Sequence, residues 1–305
     1  MKKDLLSISN LNRDDIEQLV EQALVMKQGG MRCLLPWRSV ALLFEKPSLR
    51  TRVSFELAVT QLGGHCMYLS PQEVGLGKRE PVPDVSRVLS RYVDGIVARV
   101  FSHETLQVLA DTASVSVINA LSDWEHPCQA LADLLTIREH RGTLGGVRLA
   151  YVGDGNNVAR SLGLAAATVG MSFSIATPSG YDLDEGTIDR ARSLADTSGA
   201  QFFVTEDPAE AVAGVDVVYT DTWTSMGQEE ESEERRRVFN SYQVNESLLT
   251  RAKPGAIFMH CLPAHHGEEV TTEVLNGPAS VVFDQAENRL HAQKAVLAQI
   301  LIPAD

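Results

Sequence analysis

Apolar residues recur at helical spacing between 11 and 28. Leu11, Ile16, Leu19, Val20 and Leu24 fall on one face and predict an opening helix. An unbroken apolar run at 40–44, within SVALLFEKPS, predicts a short buried strand stopped by Pro47. The period turns helical from about Ser48 and ends at Gly63-Gly64. DGIVARVF and VSVINAL predict two more buried strands, and helical patterns near 84–91 and 103–112 lie among them. Strand alternates with helix across 1–120, as in a parallel sheet covered by helices.

PCQALADLLTIREHRG predicts a strong helix, with Pro127 suited to its first position and Gly142 to its exit. A second alternation follows. GVRLAYVGD, MSFSIATP, QFFVT, DVVYTD, AIFMHC and SVVFD are predicted strands. VARSLGLAAATVG and a pattern near 184–198 are predicted helices, and a last helix is expected from about Asn288. The fold class expected is α/β: two consecutive doubly wound domains with parallel sheets, linked by helices, with the active site in the inter-domain cleft. The junction falls in the 126–142 helix. The divisions expected are 1–137, 138–288 and a C-terminal helix, 289–305, packing back on the first domain.

The 305 residues are 44% hydrophobic and 22% charged, the balance of a globular chain with one or two sizeable cores. A formal net charge of -13 makes a general nucleic-acid or membrane binder a poor reading, so any anionic ligand needs a local cluster of cations. Cys33, Cys66, Cys128 and Cys261 form no CxxC pair and are too few for a disulfide framework; a reducing cytoplasm is expected. No secretory signal is expected from MKKDLLSISNLNRDD, and no run is long and apolar enough to span a bilayer.

Nearly every unusual motif stands just after a predicted strand, where open parallel sheets bind ligands. Ser48-Leu49-Arg50-Thr51-Arg52 opens a helix, so free N–H groups, two hydroxyls and a guanidinium can meet an anion. Arg50 and Arg52 point different ways, and one is expected to be structural. Arg99 ends an apolar strand. His126 and Gln129 stand three apart at a helix start and can flank a small planar amide. No second ligand stands at zinc spacing.

Gly153-Asp154-Gly155-Asn156-Asn157-Val158 resembles the start of a dinucleotide fingerprint but lacks its third glycine; the paired asparagines look more like binders of a polar small molecule. Asp221, ending DVVYT, is placed to hold a cationic amine. His260-Cys261 is not a nucleophile pair, because neighbours on a strand face opposite ways. Arg289 adds a further cation at a helix start. The charged segment after Gly227, with the run QEEESEERRR, is expected to be a loop that closes over the acceptor.

Taken in order, these motifs resemble those of the aspartate and ornithine carbamoyltransferases along essentially the whole chain. Ser48-Leu49-Arg50-Thr51-Arg52 resembles the family's carbamoyl phosphate motif, and His126-Pro127-Cys128-Gln129 its second signature. Asp221 with Ser225-Met226-Gly227, and His260-Cys261-Leu262-Pro263, look like ornithine-specific signatures. The resemblance implies transfer of a carbamoyl group from carbamoyl phosphate to the δ-amine of ornithine. It also implies no metal or organic cofactor, and a homotrimer or an assembly of trimers with sites between subunits. Carried over, Ser48, Leu49, Arg50, Thr51, Arg99, His126, Gln129, Cys261, Leu262 and Arg289 hold carbamoyl phosphate. Leu121, Asn157, Asp221, Ser225 and Met226 hold ornithine. Arg50, Arg99, His126, Asp221 and Cys261 are the catalytic candidates, with Asp221, Cys261 or the phosphate itself taking the amine proton.

Two positions depart from the family pattern. Leu49 replaces a common threonine, which costs little where the backbone N–H does the binding. Gly75 stands where many relatives carry a polar side chain that reaches a neighbouring subunit. Putrescine or an acylated ornithine is the alternative acceptor, and a nucleotide-binding oxidoreductase or a non-catalytic sensor the alternative class.

Overall fold

The computed structural model describes residues 4–31, 33–224 and 229–302. They divide into two compact units, Met1–Leu135 with Glu287–Asp305, and Thr136–Ala286.

In the first unit, α1 (Arg13–Lys27) precedes β1 (Ser39–Phe44), α2 (Leu49–Gln61) and β2 (His65–Leu69). There follow α3 (Pro71–Val74), α4 (Val82–Leu89), β3 (Gly95–Arg99), α5 (His103–Thr112), β4 (Ser116–Leu121) and α6 (Pro127–Arg141). The strands form one parallel sheet in the order β2-β1-β3-β4. The central strands β1 and β3 are almost wholly buried, which is why they read as unbroken apolar runs. Leu5 covers the edge of β4: its N–H donates to the Val117 carbonyl at 3.0 Å, and its carbonyl accepts from Asn119 N–H at 2.8 Å. One core joins Leu43, Ile96 and Ala98 of the sheet to Leu106 and Leu109 of α5.

The second unit holds β5 (Arg148–Val152), α7 (Asn157–Val169), β6 (Ser172–Ala176), α8 (Glu185–Ser198) and β7 (Phe202–Thr205). It continues through α9 (Pro208–Val212), β8 (Val217–Thr220), α10 (Ser232–Phe239), α11 (Glu246–Leu249), β9 (Ile257–His260) and α12 (Thr272–Leu275). Its sheet is parallel in the order β7-β6-β5-β8-β9. Val152, Val218 and Phe258 share a core with Trp223, Phe239 and Tyr242. The last helix, α13 (Val282–Leu301), returns the chain to the first unit.

Three sequence expectations are corrected. SVVFD is not a strand: only Ser280 bridges to Phe258, and α13 begins at Val282, six residues before the expected start. The apolar run there opens a helix, with Val281 and Val282 buried and Phe283 exposed. HCMYL, not among the predicted strands, forms β2, an edge strand with no residue fully buried. The run QEEESEERRR is not a loop in its second half, since α10 begins at Ser232 and buries Arg235. Gln228 lies outside the described residues.

Each sheet reverses its winding direction once, between β1 and β3 in the first and between β5 and β8 in the second. A crevice opens beyond the carboxyl ends of the strands at such a point. In the first unit those ends lead to Ser48 and Arg99, and in the second to Asn156 and Asp221.

Candidate active site

The first group of side chains forms around Thr51. Ser48 is the N-cap of α2 and its hydroxyl oxygen accepts from Thr51 N–H at 3.3 Å. This turns the Thr51 hydroxyl inward, where its oxygen accepts from Arg289 Nη2 at 2.8 Å and Arg99 Nη1 at 3.4 Å, and from the Ser48 hydroxyl at 3.0 Å. Arg289 also donates to Gln129 Oε1 and lies 3.4 Å from His126 Nε2. Gln129 Nε2 donates to Asp133 Oδ1 at 2.8 Å, which fixes the carboxamide. Ser48, Thr51, Arg99, His126, Gln129 and Arg289 are thus one group drawn from four segments of the first unit.

The electrostatics of this group suit a small anion with a polar carbonyl. His126 is held neutral well below the ordinary histidine value, first by burial and then by the Arg289 and Arg99 charges. A neutral imidazole offers one N–H donor and one acceptor. Arg50 is half-buried and makes no ion pair among the described residues. Arg52 is engaged elsewhere, donating to Glu56 at 2.9 Å with its guanidinium 3.9 Å from the Tyr68 ring centre. Leu49 is the first residue of α2 with its side chain turned out, so only its backbone N–H can serve an anion there.

The second group lies in the second unit. Asp221 follows β8 and is buried. Its Oδ1 accepts from the Cys261 thiol at 3.0 Å and its Oδ2 from Asn156 Nδ2 at 3.0 Å. Both partners are neutral, and among the described residues no cation pairs with this carboxylate. Nearby Asp154 differs, because Arg235 Nη1 lies 3.1 Å from its Oδ2. Burial still pushes Asp154 up to about 6, against the pull of Arg235. Among the described residues Arg235 is paired with Asp154 while Asp221 has no cation, and a cationic ligand would satisfy Asp221.

Cys261 and Leu262 lie just past β9. Leu262 has φ +58, a strained conformation for a leucine, and its N–H donates to His260 Nδ1 at 2.9 Å. The other ring nitrogen, Nε2, lies 3.0 Å from Glu269 Oε1. Burial alone would raise Glu269, but the hydrogen bond from His260 and that from His265 N–H hold it below its ordinary value. Asp221, His260 and Cys261 bring ligand atoms within 4.8 Å, yet both His260 nitrogens are used, leaving too few donors for a metal centre. His265, Glu268 and Glu269 also cluster, with Glu268 paired to Arg236.

Other expected positions are placed less simply. Leu121 ends β4 in the first unit, where its carbonyl accepts from Val100 N–H at 3.0 Å. Asn157 is the first residue of α7, and its neighbour Asn156 donates to Asp221. Two adjacent asparagines gave no signal to separate them. Ser225 and Met226 lie outside the described residues. Gly155 is explained without a nucleotide: an added Cβ would come within 2.5 Å of Leu183 N. Gly75 caps α3 at φ +56, and a Cβ there would meet the Arg79 Cβ at 2.9 Å, so this backbone disfavours any side chain at the position.

Two family models match the chain in succession. Residues 3–139 match the family model "Aspartate/ornithine carbamoyltransferase, carbamoyl-P binding domain", and residues 145–300 match "Aspartate/ornithine carbamoyltransferase, Asp/Orn binding domain". The chain is similar to a protein of Pyrococcus abyssi named ornithine carbamoyltransferase, 52% identical over 98% of this chain and 96% of that one. The anabolic ornithine carbamoyltransferase of Pyrococcus furiosus gives the same figures. The solved structure of ornithine carbamoyltransferase from Pyrococcus furiosus superposes with a TM-score of 0.95 at 52% identity, covering 99% of this chain and 98% of that one.

Proposed function

The chain belongs to the aspartate/ornithine carbamoyltransferase family, and we propose that it moves the carbamoyl group of carbamoyl phosphate onto the δ-amine of L-ornithine, giving L-citrulline and phosphate. The buried Asp221 carboxylate, held by neutral donors alone, is the observation that carries the choice of acceptor. It suits an α-ammonium group and suits an acidic acceptor such as aspartate badly. We place the activity in arginine biosynthesis, following the anabolic relative of Pyrococcus furiosus.

Catalysis of this acyl transfer needs positioning, stabilisation of the carbonyl oxygen, and loss of an amine proton. Arg50, Arg99, Arg289 and the first N–H groups of α2, including that of Leu49, neutralise the phosphate. Thr51, Arg99 and neutral His126 donate to the carbonyl oxygen. Gln129 orients the carbamoyl NH2. Cys261 and Leu262 lie beside the reacting amine, and Leu121, Asn157, Ser225 and Met226 complete the ornithine site. No metal or organic cofactor enters these steps.

The direct test is a colorimetric citrulline assay with carbamoyl phosphate and ornithine, run beside putrescine and an acylated ornithine. Citrulline from free ornithine is the expected result, and turnover confined to another amine would replace the acceptor. Asp221, Cys261 or the departing phosphate takes the amine proton. With Cys261→Ala, the pH profile of turnover should stay as in the wild type if the thiol is not the base. Loss of one limb would assign the proton to sulfur.

The enzyme is proposed to work as a homotrimer in the cytoplasm, a setting that fits four unpaired thiols. Leu49, Val53 and Leu57 form an apolar stripe on α2, 76%, 43% and 44% exposed, the kind of surface that self-association covers. Light scattering should give three times the 33.3 kDa chain mass; a monomer would remove this assembly. Among the described residues no helix is long and apolar enough to cross a membrane.

A further inference from the structure

Asn156 caps α7 and touches Asp221, and both contacts come from one carboxamide. Its Oδ1 accepts from Val158 N–H at 2.9 Å, from Ala159 N–H at 3.1 Å and from the Tyr151 hydroxyl at 3.3 Å. Two backbone donors can face only the oxygen, so the amide has one possible orientation. The NH2 must then point away from the helix, and there it donates to Asp221 Oδ2 at 3.0 Å. Tyr151 supports this orientation. It is wholly buried and stacked on Tyr219 at 5.6 Å, and burial followed by the nearby Asp221 charge keeps its phenol protonated.

We infer that Asn156 is a positioning residue that aims the Asp221 carboxylate at the acceptor's ammonium group, a role that rests on the proposed function. The start of α7 holds the amide, the amide holds one carboxylate oxygen, and the Cys261 thiol holds the other. The plane of the carboxylate is fixed at both ends by donors that leave its charge intact. An arginine or lysine in place of Asn156 would hold the carboxylate as firmly but cancel the charge, as Arg235 does for Asp154. A neutral donor locked by a helix cap supplies orientation while leaving the negative charge for the ligand.

Two variants keep the cap and change what faces Asp221. Asn156→Asp and Asn156→Ser both retain an oxygen suited to the helix start. Asn156→Asp sets a second carboxylate against Asp221, so one of the pair binds a proton more readily. The KM for ornithine should rise by about tenfold or more, and the acid limb of kcat/KM for ornithine should move to higher pH. In Asn156→Ser the donor is withdrawn without added charge. Its KM for ornithine should rise severalfold with the acid limb in place. The KM for carbamoyl phosphate should be unchanged in both. Wild-type constants and pH profiles in both variants would overturn the inference. So would a rise in both KM values accompanied by a lowered unfolding midpoint, which would reduce Asn156 to a helix cap. Wild-type protein in the same assay series separates the two levels: no citrulline from it removes the proposed function and this role together, whereas normal wild-type turnover beside unaffected variants removes only the role of Asn156.

Discussion

Arg99→Ala should lower turnover by roughly a hundredfold or more while the protein stays folded. Removing one preorganised donor from the site of a developing oxyanion costs about 3–4 kcal/mol, which is two to three powers of ten in rate. Arg99 is well placed for that full cost. It ends β3, is only 5% exposed, and shares the Thr51 hydroxyl oxygen with Arg289, so a single substitution withdraws charge from both the phosphate and the carbonyl oxygen. The fold should tolerate the change. β3 is hydrogen-bonded on both sides, and the Thr51 oxygen keeps Arg289 and Ser48 as donors. Two guanidinium groups crowd that oxygen, and removing one relieves repulsion between them. Steady-state kinetics with both substrates, set beside a urea unfolding midpoint, provides the check. Near-normal turnover in a folded Arg99→Ala protein would take Arg99 out of the catalytic group.

Burial on both faces made the interior strands of this fold the plainest to read in the sequence. β1, β3, β5 and β8 are flanked by other strands and covered by helices, so their apolar runs had no second reading. β2 was missed between Gly64 and Pro71, and the run Val281-Val282-Phe283 mimicked a strand because a short apolar run reads alike in a strand and at a helix start. Residue type and position after a strand pointed to Ser48 and Arg99 in the first unit and to Asp221 in the second, since each follows or ends a strand beside a winding reversal of its own sheet. The choice between Asn156 and Asn157 was not legible. The backbone of the cap, φ -81 and ψ -172 at Asn156, is what turns the Asn156 amide toward Asp221. The grouping of Arg289 with Thr51 was equally hidden, since it joins residues 238 positions apart.

Asp221→Asn is expected to have an effect of similar size on the acceptor side. A buried, hydrogen-bonded charge pair loses about 2–5 kcal/mol when one partner is removed, much of it from the charge left behind. For ornithine the loss falls on the bound ammonium, so kcat/KM for ornithine should drop by roughly a hundredfold. The variant also mismatches its neighbours. Both Cys261 Sγ–H and Asn156 Nδ2–H point at carboxylate oxygens, and an asparagine can offer only one oxygen to the two donors. Affinity for carbamoyl phosphate should be unchanged, because the cations assigned to it belong to the other unit. Stability should move the opposite way to activity. Asp221 is a buried carboxylate with no cationic partner among the described residues, so neutralising it removes a desolvation cost, and the unfolding midpoint should hold or rise. Asp154→Asn makes the contrast sharp, since it would take from the buried Arg235 guanidinium its one buried carboxylate among the described residues, leaving the exposed Glu231, and lower the midpoint. If Asp221→Asn instead destabilised the protein and left ornithine kinetics intact, the carboxylate would be a structural group, and the choice of ornithine would lose its physical basis.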